Sequence, residues 1–276
     1  MNYRHGYHAG NFADVHKHIV LIASLQALFK KDSALMVLDT HAGRGQYDLR
    51  VDAQKSQEYL SGISKIIDHK NLSASIMAYL QTRAALCPDP LHYPGSPRFI
   101  QHLLRTQDRA AFCELEPAEC RFLTRLVGRD KRIGVHQRDG YEAIRALLPP
   151  AERRGLVLID PPFEQADEYL SLLNAVREAY RVFANGVYLI WYPLKADQAY
   201  QGFCQTLKLS GIRKILNTQL WVEPKDSPVG LLGSGLILIN PPWQLDQVLE
   251  RELPSLAAVL ADPKHAEATV SWLVGE

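Results

Sequence analysis

The residues best suited to chemistry are Asp160, Pro161, Pro162 and Phe163, which directly follow the apolar run of residues 155–159. Such a run predicts a strand that is buried on both faces of a parallel sheet. The two prolines end the strand, because neither has an N–H group to donate. We therefore expect Asp160 at the carboxyl edge of the sheet, which is where open α/β folds bind their ligands.

This tetrapeptide suits the methylation of an exocyclic amine on a nucleobase. The amine of adenine or cytosine is a poor nucleophile, because its lone pair is delocalised into the ring. The Asp160 carboxylate and the Pro161 carbonyl can accept its two N–H bonds, and Phe163 can stack on the base. The alternative is an ordinary strand end at which Asp160 is only a turn residue, and the tetrapeptide alone leaves both open.

A second copy of the pattern is found at Asn240-Pro241-Pro242-Trp243, after the apolar run of residues 235–239. It lies near the end of the chain. Asp160 instead lies midway, after three predicted strands and a glycine loop. We interpret residues 240–243 as a strand terminator and Asp160 as the catalytic candidate.

Composition predicts an ordinary soluble globular protein: 276 residues, of which 47% are hydrophobic and 22% charged, with a net charge of +1. That net charge gives no global attraction to nucleic acid. Between Arg121 and Arg154, however, nine Lys or Arg residues stand against four acids. This excess could line a polyanion track, or it could belong to solvated helix faces.

Cysteine and histidine usage argues against structural metal and disulfides. The four cysteines show no Cys-x-x-Cys spacing, which fits a reducing cytoplasm. Five of the ten histidines fall within the first 41 residues, but no cysteine or carboxylate has matching ligand spacing. The first residues do not resemble a signal peptide, and the longest apolar stretch, residues 19–29, is too short to span a bilayer.

The elements around these motifs predict one α/β domain over residues 1–276, with a doubly wound, mixed sheet. We expect an N-terminal arm at residues 1–13, and a helical insertion at residues 50–92 after the first strand. Asp14 and Ser96 are predicted helix caps. The predicted core strands are residues 35–40, 110–113, 132–136, 155–159 and 187–191, followed by a hairpin of residues 214–221 and 235–239 on the sheet edge, and a strand at residues 268–273.

A glycine loop follows the first strand, with Asp39 before it and Gly43 and Gly45 within it. Two glycines let the backbone turn tightly and approach a ligand closely, although a lone Gly-x-Gly is weak evidence. Glu114 follows the second strand and is expected beside this loop. Its carboxylate could then bond both hydroxyls of a ribose.

The order of these motifs resembles that of S-adenosylmethionine-dependent methyltransferases with a Rossmann-like fold. More narrowly, the chain is similar to the RlmJ family, which methylates adenine N6 in 23S ribosomal RNA. The resemblance covers nearly the whole length. The stretches that carry it are residues 3–5, 8–11, Asp14 with Lys17 and His18, 38–43, 93–97, 158–162, 191–193 and 268–272.

The resemblance implies an enzyme with S-adenosylmethionine as cofactor and 23S rRNA, unassembled or partly assembled, as substrate. It also implies a cytoplasmic monomer without metal or membrane partners. Catalysis would involve Asp160, Pro161 and Phe163. The implied cofactor contacts are His18, His41, Gly43, Ser96, Glu114, Asp139, Gly140 and Asp160, and the implied substrate-side residues are Tyr3, His5 and Lys17.

Two residues depart from the family pattern. Phe163 stands where many relatives have tyrosine, so the stacking face is kept but the hydroxyl is not. Arg44 is bulkier than expected in the glycine loop, so its side chain is predicted to point away from the cofactor.

Three alternatives remain. The same motif serves DNA adenine methylation, although no target-recognition domain of the usual size is visible. A Rossmann oxidoreductase would need a third glycine after Gly45, which the loop lacks. A non-catalytic RNA-binding protein on this fold would not need Asp160 together with both prolines.

Overall fold

A sheet of eight strands runs through the centre of the protein. The computed structural model describes residues 5–70, 72–228 and 230–275, so Tyr3, a predicted substrate-side residue, lies outside them. The strands of the described residues are β1 (Met36–Asp39), β2 (Gln46–Asp48), β3 (His92–Pro94), β4 (Arg109–Glu114), β5 (Ile133–Gln137), β6 (Gly155–Ile159), β7 (Val187–Leu194), β8 (Ile215–Trp221), β9 (Gly233–Ile239) and β10 (Glu267–Val274). Of these, β2 and β3 pair with each other outside the eight-stranded sheet. The α-helices are α1 (Phe12–Phe29), α2 (Ile63–Ile67), α3 (Ala74–Leu86), α4 (Ser96–Leu103), α5 (Pro117–Val127), α6 (Gly140–Leu147), α7 (Glu168–Val182), α8 (Ala199–Lys208) and α9 (Leu245–Leu260).

The strand order across the sheet is β10-β8-β9-β7-β6-β1-β4-β5. The strands from β5 through β1 to β7 are parallel, β9 is antiparallel to both of its neighbours, and β10 is antiparallel to β8. The order reverses at β1, which lies between β4 and β6. Ligands bind outside the carboxyl ends of the strands at such a switch point. The predicted α/β fold with a doubly wound, mixed sheet is confirmed.

Each face of the sheet carries its own hydrophobic core. In β6, Leu156 and Leu158 enter the core covered by α1, α4, α5 and α9. Val157 and Ile159 enter the opposite core, covered by α6, α7 and α8. This double burial is the physical reason for the unbroken apolar run that precedes Asp160.

The hairpin of β8 and β9 forms as predicted, with Ile215 opposite Ile239 and Trp221 opposite Gly233. Its predicted place on the sheet edge is wrong. β9 pairs with β7 on its other side, and β10 pairs with β8 and takes the edge. Local patterning predicts that two strands pair with each other, but not which distant strand will cover their free edge.

Helix α1 begins before the predicted cap. Asn11 is the N-cap and its side chain accepts the Asp14 N–H at 3.0 Å, so the prediction that Asp14 caps the helix is wrong. The Asp14 carboxylate instead accepts the N–H of Gly10 at 3.0 Å. By length and composition alone, α1 could cross a membrane, but 78% of it is buried inside the protein, which is the pattern of a core helix.

The predicted arm is partly folded into the body of the protein. Residues 5–7 form a 3-10 helix, while residues 12 and 13 already belong to α1 and are buried. His8 contacts Glu58 at 2.9 Å, and the Gly10 carbonyl accepts the N–H of Ile63 at 2.8 Å. The segment before α1 is thus attached to the inserted helices.

The helices expected at residues 50–92 are α2, α3 and a 3-10 helix at Glu58–Ser61. An antiparallel pair that the sequence analysis did not predict, β2 with β3, joins the two ends of this segment. Farther on, α4 starts at Ser96, with Gly95 as its N-cap. The predicted cap at Ser96 is therefore one residue late.

Candidate active site

A cavity of about 490 Å³ opens at the carboxyl ends of β1, β4 and β6. Its wall combines residues of α1, the glycine loop, and the starts of α4 and α6 with the segment after β6. The predicted site residues on this wall are His5, Lys17, His18, His41, Gly43, Ser96, Glu114, Asp139, Gly140 and Asp160. Pro161 and Phe163 lie beside it, whereas their neighbour Pro162 lines it.

Lys17 ties helix α1 to the strand end that carries Asp160. Its ammonium donates to an oxygen of Asp14 at 2.7 Å and also to Asp160 Oδ2. The side chains of Lys17 and Asp14 are 4% and 3% exposed, so the pairs are shielded from water. Burial alone would lower the pKa of Lys17, but Asp14 and Asp160 outweigh it and raise that pKa. Lys17 is therefore a fixed cation that orients the Asp160 carboxylate.

Asp14 is the centre of a second set of contacts. Besides Lys17, its carboxylate contacts His5 Nε2 at 3.3 Å and accepts the N–H of Gly10. Burial would raise the pKa of Asp14, but Lys17 and His5 hold it well below its usual value. One buried carboxylate thereby positions two of the predicted substrate-side residues.

The segment after Asp160 has a strained backbone and an aromatic surround. Phe163 has a φ of +51°, which a bulky side chain rarely adopts and which clusters at functional sites. Its half-buried ring packs against Tyr169, with ring centroids 4.9 Å apart, and against Trp191 at 5.6 Å. The ring therefore lies next to the strand end with its orientation fixed.

His41 hydrogen-bonds to its neighbour Thr40. The Thr40 hydroxyl lies 3.0 Å from the Leu158 carbonyl, to which it can donate, and 2.8 Å from His41 Nδ1. Burial lowers the pKa of His41 to about 4, which makes the ring neutral at pH 7. The ring borders the cavity, where it can offer a ring nitrogen to a ligand.

Gly140 is required by the close approach of two chain segments. A Cβ atom there would lie 2.3 Å from the Thr40 carbonyl oxygen and 3.0 Å from His41 Nε2. Next to it, Asp139 Oδ1 accepts the N–H groups of Tyr141 and Glu142 and caps α6. Asp139 Oδ2 is then the oxygen that can face a ligand.

The glycine loop and Glu114 hold each other in place. Gly43 has a φ of +61°, and a Cβ there would meet the Tyr47 hydroxyl at 2.3 Å. The Gly43 N–H donates to Glu114 Oε2 at 2.8 Å, and the Glu116 N–H donates to Oε1 at 2.7 Å. Burial raises the pKa of Glu114. Each oxygen keeps a lone pair for a ligand hydroxyl.

Arg44 is held at the rim of the cavity. Its guanidinium makes a two-bond contact with Glu119 at 2.7 and 2.8 Å and donates to Asp52 at 2.7 Å. It also lies 5.0 Å from the ring of Phe122. The side chain is thus directed to α5 and the insertion, but it still borders the cavity. That its side chain points away from the cofactor stays a prediction.

Two buried polar atoms at the site have no hydrogen-bond partner within the described parts of the chain: His18 Nε2 and Asp39 Oδ2. His18 lines the cavity, and burial lowers its pKa to about 3, so the ring is neutral. Burial raises the pKa of Asp39 to about 7. Buried polar groups are normally satisfied, so the unpaired atom of His18, on the cavity wall, points to a ligand.

The second copy of the motif lies at the opposite edge of the sheet. Because β9 is antiparallel to β7, its last residue, Ile239, pairs near the start of β7. The Asn240 side chain donates to the carbonyls of Ala184 and Gly186, both at 2.8 Å. The interpretation of residues 240–243 as a strand terminator agrees with this placement.

Six of the nine basic residues between Arg121 and Arg154 fall into two groups. Arg132, Arg145 and Arg154 contact Asp130, Glu178 and backbone carbonyls respectively. Arg121, Arg125 and Arg129 are exposed and, within residues 5–70, 72–228 and 230–275, contact no acid. The first two lie on α5 beside Phe122, a residue of the cavity wall that is 50% exposed.

Sequence reasoning missed several residues of the site: Asp14 as a positioning group, Thr40, and Tyr141, whose hydroxyl donates to Glu168 at 2.7 Å. The three-residue spacing of Asp14 and Lys17 on a helix was a usable signal for an ion pair. Thr40 and Glu168 carried none, because their roles depend on tertiary contacts. In the part of the chain that the structure describes, no group of three or more His, Cys, Asp or Glu residues could hold a metal ion.

Comparison with known proteins gives a consistent result. The family model "Ribosomal RNA large subunit methyltransferase D, RlmJ" matches residues 32–274. Ribosomal RNA large subunit methyltransferase J from Escherichia coli is 40% identical over 279 residues, and the Haemophilus influenzae protein of that name is 40% identical over 280. Both matches cover all of each chain. A crystal structure of a Legionella pneumophila protein superposes with a TM-score of 0.88 at 36% identity, covering 96% of this chain and 98% of that one.

Proposed function

Because this chain belongs to the RlmJ family of rRNA large subunit methyltransferases, we propose that it methylates the exocyclic N6 of an adenine in 23S rRNA. The observation that carries this proposal is the Asp160-Pro161-Pro162-Phe163 segment, placed at the switch point of the sheet and tied to α1 by Lys17. The methyl donor is S-adenosylmethionine.

The cavity wall fits that donor. When bound, it supplies a methyl group on a sulfonium that is already activated for transfer. Glu114 offers two acceptor oxygens for ribose hydroxyls, held by the N–H groups of Gly43 and Glu116. Asp139 Oδ2 offers a further acceptor, and the His41 ring offers a further hydrogen-bonding nitrogen. Gly140, which has no Cβ, lets the Thr40–His41 turn pack closely against this part of the wall.

The protein's part in the transfer is to bind the amine and orient it. Asp160 and the Pro161 carbonyl accept the two N–H bonds of N6, so the nitrogen lone pair is directed at the methyl group. Phe163 stacks on the base from a fixed orientation. Asp160 would accept the proton that N6 loses when it takes the methyl group from the donor. Preorganised positioning of this kind lowers the barrier without a metal ion.

The exposed arginines of α5 suit the phosphate backbone of the substrate. Arg121 and Arg125 are four residues apart and so share one helix face, next to Phe122 on the cavity wall. Cations without local acid partners are available to replace counterions along RNA. We therefore favour the polyanion-track interpretation for α5, and solvated faces for the paired arginines at 132 and 145.

Transfer of labelled methyl to defined nucleic acids tests the function. Unmodified 23S rRNA should accept label, whereas DNA of the same sequence should not. Label in DNA alone would favour the DNA methyltransferase. Binding of NAD in place of S-adenosylmethionine would favour the oxidoreductase, and binding of RNA without any transfer would favour the non-catalytic protein. We propose further that the enzyme is cytoplasmic and monomeric. Comparing free rRNA with assembled particles tests the proposal that it acts on unassembled or partly assembled RNA.

A further inference from the structure

A chain of three buried rings leads from the inserted helices to the cavity. Tyr79, on α3, has its hydroxyl 3.1 Å from that of Tyr93, on β3. The Tyr93 hydroxyl lies 2.8 Å from Nδ1 of His18, on α1. Both tyrosines are 0% exposed and His18 is 1% exposed. Water therefore does not complete the hydrogen bonds of these three side chains.

The number of available protons indicates the direction in which this series of hydrogen bonds runs. Within residues 5–70, 72–228 and 230–275, the Tyr79 hydroxyl has no partner other than Tyr93. If protons pointed away from the cavity, from His18 Nδ1–H to Tyr93 to Tyr79, the last hydroxyl proton would have no acceptor. That arrangement would leave two buried groups unpaired, the Tyr79 O–H and the lone pair of His18 Nε2, and unpaired buried polar groups are destabilising.

If protons point toward the cavity, every protein group is satisfied except one. Tyr79 donates to Tyr93, and Tyr93 donates to His18 Nδ1. The neutral His18 ring then carries its single proton on Nε2, the atom that lacks a partner and belongs to a residue of the cavity wall. The ring is also fixed by Phe99, with centroids 4.8 Å apart. An acceptor on the ligand must complete this N–H.

The start of α4 indicates which acceptor. Gly95 and Ser96 line the same cavity, and Ser96 lies one turn before Phe99, which packs on His18. The first N–H groups of a helix favour an anion. In α4, Gly95 donates to the Gly45 carbonyl at 2.8 Å, Pro97 has no N–H and Arg98 donates to the Gly95 carbonyl at 3.0 Å, so the Ser96 N–H is the donor left for a ligand within the described residues. Glu114 and Asp139, which are suited to hydroxyl and amine donors, belong to β4 and the start of α6 instead.

We propose that Tyr93 and Tyr79 are positioning residues that hold His18 in its Nε2–H tautomer, so that it donates to the carboxylate of the methyl donor. This inference rests on the proposed function for the identity of the ligand. The tautomer itself does not depend on that function. The inserted helices thereby contribute to cofactor recognition through α3, although Tyr79 does not line the cavity.

Nitrogen-15 NMR of the ligand-free protein tests the tautomer directly, with the His18 signals assigned by their loss in His18→Asn. The wild type should show protonated Nε2 and unprotonated Nδ1. Tyr93→Phe should show a mixture of tautomers, because Nδ1 loses its donor. A wild type with protonated Nδ1 overturns the proposal, whatever reaction the enzyme catalyses.

Calorimetry with two probes tests the carboxylate. Tyr93→Phe should weaken S-adenosylhomocysteine binding at least about threefold, through the reduced fraction of the competent tautomer and a looser ring. Binding of 5′-methylthioadenosine, which lacks the carboxylate, should be unchanged. In a His18→Asn background, Tyr93→Phe should have no further effect, since Tyr93 acts through His18.

The matched control is Tyr188→Phe, which removes a buried hydroxyl bonded to the Phe183 carbonyl at 2.7 Å, remote from the cavity. It should leave binding of both probes unchanged. Equal weakening of both probes by Tyr93→Phe, or an undiminished effect in the His18→Asn background, would show a purely structural role and contradict the proposal. Neither measurement involves methyl transfer to RNA, so failure of the proposed function would be seen separately.

Discussion

The Asp160 carboxylate is oriented by Lys17, whose other contact is the buried Asp14. Replacing Asp160 removes an acceptor of the amine but no core contact, since the residue follows the last buried position of β6. We expect Asp160→Ala to abolish methyl transfer while leaving the fold intact, and Asp160→Asn to retain a low rate because an amide oxygen still accepts one N–H. Steady-state kinetics and calorimetry check both.

The matched control for this prediction is Asn240→Ala, in the second copy of the motif. It should keep the turnover of the wild type while losing about 1–3 kcal/mol of stability, since it removes two hydrogen bonds, one exposed and one partly buried. Near wild-type turnover by Asp160→Ala would remove Asp160 from the mechanism.

Asp39 makes stability depend on pH in an unusual direction. Burial raises its pKa from 3.8 to about 7 in the folded state, so between these values the folded protein holds a proton that the unfolded chain has lost. Stability should therefore fall as the pH rises from about 4 to 7 and level off above. Asp39→Asn should remove this fall, and its stability relative to the wild type should be roughly 2–4 kcal/mol greater at pH 8 than at pH 5.

Urea unfolding of both proteins at pH 5 and pH 8 measures the difference. Asp108→Asn is the control, because Arg105 and backbone N–H groups outweigh burial and lower the pKa of Asp108, so its titration lies below this window. Its effect should be the same at both pH values. An Asp39→Asn effect that does not change with pH would mean that Asp39 is ionised throughout.

Single residues were predictable where an acidic side chain directly follows a buried apolar strand. Asp160 between a buried strand and two prolines, and Glu114 at the next strand end, could be located from the sequence alone. Asp14 was misjudged as a cap, because the choice between Asn11 and Asp14 depends on where the chain enters the helix. The tautomer proposed for His18 depends on Tyr93, a partner that lies far away in the sequence.

Strand direction explains why one of two similar motifs is at the site. Both follow buried strands and both are ended by two prolines, but β6 runs parallel to β7 and β9 runs antiparallel to it. Hydrophobic patterning does not report direction, so the sequence favoured Asp160 only by its order in the chain. The element boundaries themselves followed from the apolar runs, as β6 and β8 show.

At the scale of the helices and strands, the testable prediction concerns two exposed arginines of α5. Replacing Arg121 and Arg125 with Ala should lower kcat/KM on rRNA about tenfold at low salt and reduce the salt dependence by roughly one power per residue, while S-adenosylmethionine affinity is kept. The control is Arg145→Ala, whose guanidinium contacts Glu178 at 2.5 Å. An unchanged salt dependence in the α5 variant would assign these arginines to a solvated face.

At the scale of the whole molecule, the segment before α1 connects the cavity to the inserted helices. His5 lines the cavity and contacts Asp14, while the nearby His8 contacts Glu58 of the insertion. We expect His5→Ala to lower methyl transfer at least about tenfold, a loss of ~1.4 kcal/mol in transition-state stabilisation, with far less effect on S-adenosylmethionine affinity.

His8→Ala is the control, because His8 belongs to the same segment but is not among the residues of the cavity wall. Kinetics on rRNA and calorimetry on the donor separate the two effects. Equal losses in both measurements for His5→Ala would indicate a general disturbance of the segment and remove His5 from the substrate side.

At this scale the sequence predicted the fold class, the βα order and the inserted helices, because these follow from patterns within single segments. It did not predict the β2–β3 pair or the edge position of β10, which depend on contacts between residues far apart in the chain. The attachment of the N-terminal segment to the insertion was missed for the same reason.

The most direct test of the account is the chemical identity of the product. Wild-type protein and Asp160→Ala are incubated with methyl-labelled S-adenosylmethionine and 23S rRNA that lacks this modification, and the RNA is digested to nucleosides. The account predicts that the label appears only in N6-methyladenosine and only with the wild type. Label in another base or in ribose, or equal labelling by Asp160→Ala, would contradict it.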